Sequence, residues 1–391
     1  MFAVFRPARK AALVVLTLAF SALLSACDPV SVGGGGPTIN TSKPVPVALL
    51  VPRGSAQSGD AVLAQSLENA ARLAMADLQN VQIDLRVYDT AGDAGTAAAV
   101  AAQAVDDGAK IILGPVYAGA ANAAGLAVLN RKINVLAFSN NTKVAGGNVF
   151  VLGPTFTNSA QRLAGYAARQ GKGKLVAVHS SDEAGLLGLE AIRQAVGGSG
   201  ATLAATVAYE RSQQGVIDAV PRVKSAVDAA GADSIFLTST TAGALPLFTQ
   251  LLPEAGVSPA TTQYIGLTRW DIPSQTLELP GVQGGWFALP DPARAAQFRS
   301  RYATAYGGAP HPIGGLAYDG IAAIGALVGA GKADALTGAA LTQNAGFQGV
   351  GGIFRLRADG TNERGLAVAT IQNKQVVVID PAPTSFSGAG F

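Results

Sequence analysis

The chain has 391 residues, of which 49% are hydrophobic and only 14% charged, against about 25% charged in an ordinary globular protein. That excludes a disordered, highly solvated chain, and at roughly 150 residues per domain it favours two domains. The nominal charge of +3 is supplied by Arg6, Arg9 and Lys10 alone; the remaining basic residues equal the 25 acidic ones. A neutral body lacks the electrostatic footprint of a nucleic-acid binder.

Residues 1–26 contain no acidic residue and place a basic start before the apolar run Ala11–Leu24. As a helix that run would rise about 21 Å, short of a bilayer core of about 30 Å, so it reads as an export signal and not a span. It ends in Leu24-Ser25-Ala26-Cys27, which resembles the bacterial lipobox. The resemblance implies cleavage before Cys27 and acylation of its sulfur and new amino group. By similarity to enterobacterial sorting rules, Asp28 favours retention at the inner membrane, which puts the protein in the cell envelope on the periplasmic side. Cys27 is the only cysteine, so no internal disulfide is available and stability must come from the core. Residues 27–45, rich in Gly, Pro, Ser and Thr, read as the lipidated residue and a flexible tether.

From residue 46 short apolar runs alternate with helical stretches. Val47–Val51 is uncharged, as suits a central parallel strand buried on both faces. Leu63, Leu67, Ala70, Ala74 and Leu78 form one stripe of the next helix. Ile83, Leu85 and Val87 alternate with polar residues, which suits a sheet edge. Further strands are expected at Ile111–Leu113 and Asn134–Phe138, with helices over about 93–107 and 119–130. The rhythm restarts after residue 154: Asn158 and Gln161 resemble a capping box, and strands follow at Leu175–Val178, Ala201–Tyr209, Ile235–Leu237 and Tyr264–Gly266. Two successive βα arrays predict an α/β fold of two doubly wound, Rossmann-like lobes. Later pieces, Trp286–Leu289, Ile353–Leu356, Leu366–Ile371 and Gln375–Ile379, cannot make a core alone and must complete lobes already begun. Lobe 1 is therefore assigned 46–154 plus 290–340, lobe 2 155–289 plus 341–380, and 381–391 a tail.

Catalytic patterns fail. His179 and His311 are too few and too distant for a metal cluster, and no G-x-S-x-G elbow is present. Gly331-Lys332-Ala333 lacks the phosphate-loop pattern, and Gly171-x-Gly173 precedes a strand where a dinucleotide site needs it to follow one. No enzyme, cofactor or metal is expected.

The order Val47-Ala48-Leu49-Leu50-Val51-Pro52, Ile111-Ile112-Leu113-Gly114-Pro115, Val135-Leu136-Ala137-Phe138-Ser139, Gly153-Pro154 and Tyr318-Asp319-Gly320 is similar to type I periplasmic binding proteins. The nearest subfamily in pattern is the leucine/isoleucine/valine-binding proteins of ABC transporters; lipoprotein activators of penicillin-binding peptidoglycan synthases are also similar. The resemblance implies two lobes joined by three crossings, near 154–158, 286–291 and 340–350, with a small polar, amino-acid-like ligand in the cleft and an ABC permease as partner. A penicillin-binding protein is the partner in the alternative. Open parallel sheets present ligands at the carboxyl ends of their strands. That selects Arg53, Ser55, Tyr117, Gly119, Ser139, Asn140, Asn141, Asp182, Glu183, Ser239 and Thr268 as candidate ligand residues, with Ser139 and Asn140 foremost and Asp182 or Glu183 facing an ammonium group. The same residues also suit helix caps. Two departures from the amino-acid-binding pattern, Val116-Tyr117-Ala118-Gly119 and Ala184-Gly185, remove a donor and an aromatic wall. Asp319 is expected to be structural, near the hinge.

Overall fold

The computed structural model describes residues 36–386. The export signal, Cys27, Asp28 and the last five residues lie outside the described residues.

Five strands, β1 (Val45–Val51), β2 (Ile83–Asp89), β3 (Ile111–Leu113), β4 (Val135–Ala137) and β5 (Val149–Val151), form a parallel sheet in the order β2-β1-β3-β4-β5. Helices α1 (Asp60–Asp77), α2 (Ala94–Asp106) and α3 (Ala118–Val128) connect the first four of them. β3 is wholly buried and β1 is buried except at Pro46, while β2, at the edge, is half-buried along most of its length. The strand β5 carries only three residues between Gly146-Gly147 and Gly153-Pro154, and it was not anticipated from the sequence.

The chain then starts a second unit with α4 (Phe156–Arg169). Its cap lies one turn earlier than expected: Thr155 Oγ1 accepts from the Asn158 N–H at 3.3 Å, and Asn158 Oδ1 accepts from the Thr155 N–H at 2.8 Å. Strands β6 (Lys174–Ser180), β7 (Thr202–Tyr209), β8 (Ser234–Leu237), β9 (Gln263–Gly266) and β10 (Trp286–Leu289) follow, linked by α5 (Glu183–Ser199), α6 (Gln213–Ala230) and α7 (Leu245–Glu254) among others. They pair in parallel in the order β7-β6-β8-β9-β10.

After β10 the chain returns to the first unit. Phe298 and Tyr302 of α8 (Pro292–Tyr306), and Leu316, Ile321 and Ile324 of α9 (Gly315–Gly329), join the core of the first sheet. Three short strands, β11 (Phe347–Gly349), β12 (Gly352–Leu356) and β13 (Asn362–Arg364), then make a small antiparallel sheet. Phe347, Phe354 and Leu356 pack in the first core. This corrects the expected assignment to lobe 2 for residues 341–364, though not for 366–380, and the expected third crossing at 340–350. The chain returns to the second sheet only between β13 and β14 (Ala367–Gln372), which with β15 (Gln375–Asp380) adds an antiparallel edge to β10.

Part of the expected tether is also docked. Ile39 is buried in the first core, and its N–H donates to the Ala333 carbonyl at 2.9 Å. A lone large aliphatic side chain in a polar stretch gives no periodicity from which to read this.

Candidate functional site

In each parallel sheet the strand order reverses once, and the crevice outside the carboxyl ends of the two diverging strands is where open α/β sheets hold ligands. In the first sheet that point lies between β1 and β3. In the second it lies between β6 and β8.

At the first switch point, Asp60 opens α1 and is 5% exposed. The Tyr117 hydroxyl donates to Asp60 Oδ1 at 2.6 Å, while Oδ2 is buried without a partner. Burial, then the hydrogen bond to Asp60, pushes the Tyr117 phenol up to about 12. The phenol therefore stays a neutral donor at any physiological pH. Gly92 makes this placement possible: a Cβ there would lie 3.1 Å from the Tyr117 ring and 3.2 Å from Ser55 Oγ, and its φ of +69° already favours glycine. His311, half-buried nearby, has its pKa lowered by burial, with Asp60 opposing the shift.

At the second switch point, Thr238 and Ser239 follow β8. Both hydroxyls are buried without a hydrogen-bond partner. Trp270, beyond β9, is fully buried and its indole N–H is likewise unpartnered. Glycines make room for that ring: a Cβ on Gly266 would meet the indole nitrogen at 2.2 Å, and one on Gly285 would meet its benzo edge at 2.1 Å. The ring stacks on Phe287 with centroids 6.5 Å apart. Each buried polar group left unpaired costs about 1–3 kcal/mol. Among the described residues seven side-chain atoms are in this state, and four of them are Asp60 Oδ2, Thr238 Oγ1, Ser239 Oγ and Trp270 Nε1.

The residues singled out from the sequence divide into three groups. Several are occupied by the protein itself. Arg53 pairs with Glu68 at 2.8 Å and Asp89 at 3.1 Å. Asp182 caps α5 through the Gly185 N–H at 2.9 Å, accepts from Ser180 Oγ at 2.6 Å and pairs with Arg211 at 2.9 Å. Those partners, led by Ser180, lower the Asp182 carboxyl to about 2. Glu183 meets Lys143 at 2.8 Å, an exposed ion pair joining the first unit to the second. Neither acid is left facing an open site, because the helix N-terminus and a nearby cation already satisfy each.

A second group forms local turns at the strand ends. Ser55 Oγ accepts from the Gln57 N–H, Ser139 Oγ from the Asn141 N–H, and Asn141 Oδ1 from the Lys143 N–H. Thr268 Oγ1 donates to the Ser239 carbonyl at 3.4 Å. The third group stays available: Tyr117 at the first switch point, Ser239 at the second, exposed Asn140 after β4, and Gly119, where no heavy atom lies within 4 Å of an added Cβ. Trp270 closes the strand-end loop Thr268–Trp270 that the sequence selects, whereas Asp60 and Thr238 lie outside the selected loops. Asp60 is the first acid after β1, at the opening of α1, and that is the signal that was there to be read.

No group of three or more His, Cys, Asp or Glu placed to hold a metal occurs among the described residues. His179 contacts the Ser180 carbonyl through Nδ1 at 2.9 Å inside β6, and His311 lies in a loop. No helix among the described residues is long and apolar enough to cross a membrane.

A family model described as periplasmic binding protein matches residues 44–375. No curated protein is similar enough to the chain to count as a relative. Among solved structures, a Rhodospirillum rubrum protein described as a branched-chain amino acid ABC transporter is similar at 20% identity and a TM-score of 0.73, covering 86% of this chain and 100% of that one. An ABC transporter substrate-binding protein of Desulfitobacterium hafniense in complex with Leu is similar at 18% identity and a TM-score of 0.62, with coverage of 86% and 100%. A solute-binding protein of Rhodopseudomonas palustris BisB5 in complex with 3,4-dihydroxybenzoic acid is similar at 17% and 0.56, with coverage of 86% and 96%.

Proposed function

The chain belongs to the periplasmic binding protein family, and from that premise we propose that it is a lipid-anchored, extracytoplasmic receptor that binds a small polar solute between its two sheets and delivers it to an ABC importer, without catalysis. The observation that carries this reading is the gathering of unpartnered polar atoms at the switch points of both sheets, Asp60 Oδ2 beside Tyr117 on one side and the Thr238 and Ser239 hydroxyls on the other. A ligand with both donors and acceptors satisfies such a pair of walls. Asp60 Oδ2 takes an ammonium or other N–H, and the hydroxyls meet carboxylate, amide or hydroxyl groups. The structural relatives hold leucine in one case and an aromatic acid in another. The ligand here is drawn from that small, polar range, amino acids and amides first.

Such a ligand touches both units together only when they close on it, so binding shifts that equilibrium. The test is a thermal-shift screen of the mature chain against amino acids, amides, aromatic acids and muropeptides. At a thousand times the dissociation constant, binding adds about 4 kcal/mol, and the melting temperature is expected to rise by several degrees. A screen without any shift, joined to saturable binding of a penicillin-binding protein, overturns the receptor reading in favour of a synthase activator.

A further inference from the structure

Away from the switch points, a cavity of about 250 Å³ opens between α4, α5 and β13. Its walls include Gln161, Arg162 and Arg169 of α4, Gly198 and Ser199 of α5, and Arg364 of β13. Three guanidinium groups on so small a wall need neutralising. Arg162 and Arg169 share one carboxylate oxygen, Asp380 Oδ2, at 2.9 and 3.1 Å. The Arg162 side chain is only 6% exposed, and burial lowers its pKa. Arg364 pairs with Asp319 at 3.1 Å, yet its Nε is buried without a partner. Glu363 also lines the cavity, but its two oxygens are taken by Arg355 and Arg357. The cluster thus sets five arginines against the three carboxylates Asp319, Glu363 and Asp380, a local excess of positive charge in a body that is neutral overall.

We propose that this cavity binds a small oxyanion, a phosphate or carboxylate group, at the hinge. Guanidinium forks match the paired oxygens of such groups, and a half-buried site strengthens the attraction. At about 30 Å³ per water molecule, the space holds a phosphate with ordered water or a small dicarboxylate. Its position gives it leverage. α4 and α5 pack in the second unit, whereas β13 pairs with β12 on the first, and Arg364 also donates to the Leu152 carbonyl beside the first crossing. An occupant therefore touches both sides of the hinge and favours one angle between the units.

The experiment titrates the purified mature protein with inorganic phosphate and, separately, malonate. Ionic strength is held constant with sodium chloride, so that screening alone gives no signal. A saturable rise in melting temperature with at least one of them is expected. Gly198→Asp places a negative charge on the wall at a position where no heavy atom lies within 4 Å of an added Cβ; it should weaken the anion at least about tenfold. Gly198→Asn, of the same size and uncharged, should keep the affinity, and Arg169→Ala should reduce it. The proposal is overturned if neither anion gives a saturable shift, or if the shift survives both Gly198→Asp and Arg169→Ala. It is equally overturned if Thr238→Val with Ser239→Ala abolishes the shift, since that places the anion between the sheets.

Discussion

The hinge and the switch points both bury polar side chains, but those at the hinge grip the chain through most of their polar atoms, Asn362 Oδ1 and Arg364 Nε excepted, and those after β8 and β9 do not. At the hinge those side chains hold the crossings together. Asn362 Nδ2 donates to the Val151 and Gly153 carbonyls at 2.7 and 2.9 Å, and Asn158 Nδ2 reaches the Asn362 carbonyl at 2.9 Å. Asp319, 1% exposed, accepts from the Val350 N–H at 2.8 Å and from Arg364; burial raises its pKa against the pull of Arg364. At the switch points Thr238, Ser239 and Trp270 bond to nothing through their side chains. A buried polar group that grips its own chain is architecture. One that grips nothing is free to meet something else.

The contrast fixes the order of mutational effects. Asp319→Leu strips the counter-ion from a guanidinium whose side chain is 9% exposed and should cost about 3–5 kcal/mol in urea unfolding; a loss below 1 kcal/mol would mean the hinge is not fastened by this pair. Asn362→Ala removes two bonds to buried carbonyls and should cost about 2 kcal/mol. Asp182→Ala removes a helix cap and should cost about 1 kcal/mol at neutral pH. Its pH dependence has a definite sign. The folded carboxyl, at about 2, lies below its ordinary 3.8, so its contribution is full above about pH 4 and is lost as pH falls toward 2. The variant should lack that acid-side slope. Thr238→Val with Ser239→Ala should not destabilise the unliganded protein and should raise its stability by about 1 kcal/mol or more, because each buried hydroxyl has no partner to lose and a desolvation cost to relieve. A large loss there would erase the distinction between the two regions.

Much of the fold was legible because its strands are apolar runs closed by turn residues. Ile111–Leu113 and Trp286–Leu289 coincide with the observed strands, and the edge position of β2 followed from its alternation. The third crossing was hidden. β13 reads Asn-Glu-Arg, without an apolar residue, and is a strand only through pairing with β12 and the bonds of Asn362 to the first crossing. The site was half legible for a similar reason. Strand ends can be read from sequence, but whether a Ser or Asp there caps its own helix or is left free depends on distant neighbours. Arg211 commits Asp182, Lys143 commits Glu183, and Tyr117 leaves one oxygen of Asp60 free. None of these pairings is local enough to appear as a motif.

The central claim is that the unpartnered groups at the switch points are there for a solute. Titration calorimetry with the most stabilising solute of the screen, on the unaltered protein and on Thr238→Val with Ser239→Ala, tests it most directly. The double variant should melt no lower than the unaltered protein without ligand and bind at least about tenfold more weakly, since each hydrogen bond lost to a ligand is worth about 1 kcal/mol or more. Unchanged affinity in the double variant would contradict the account.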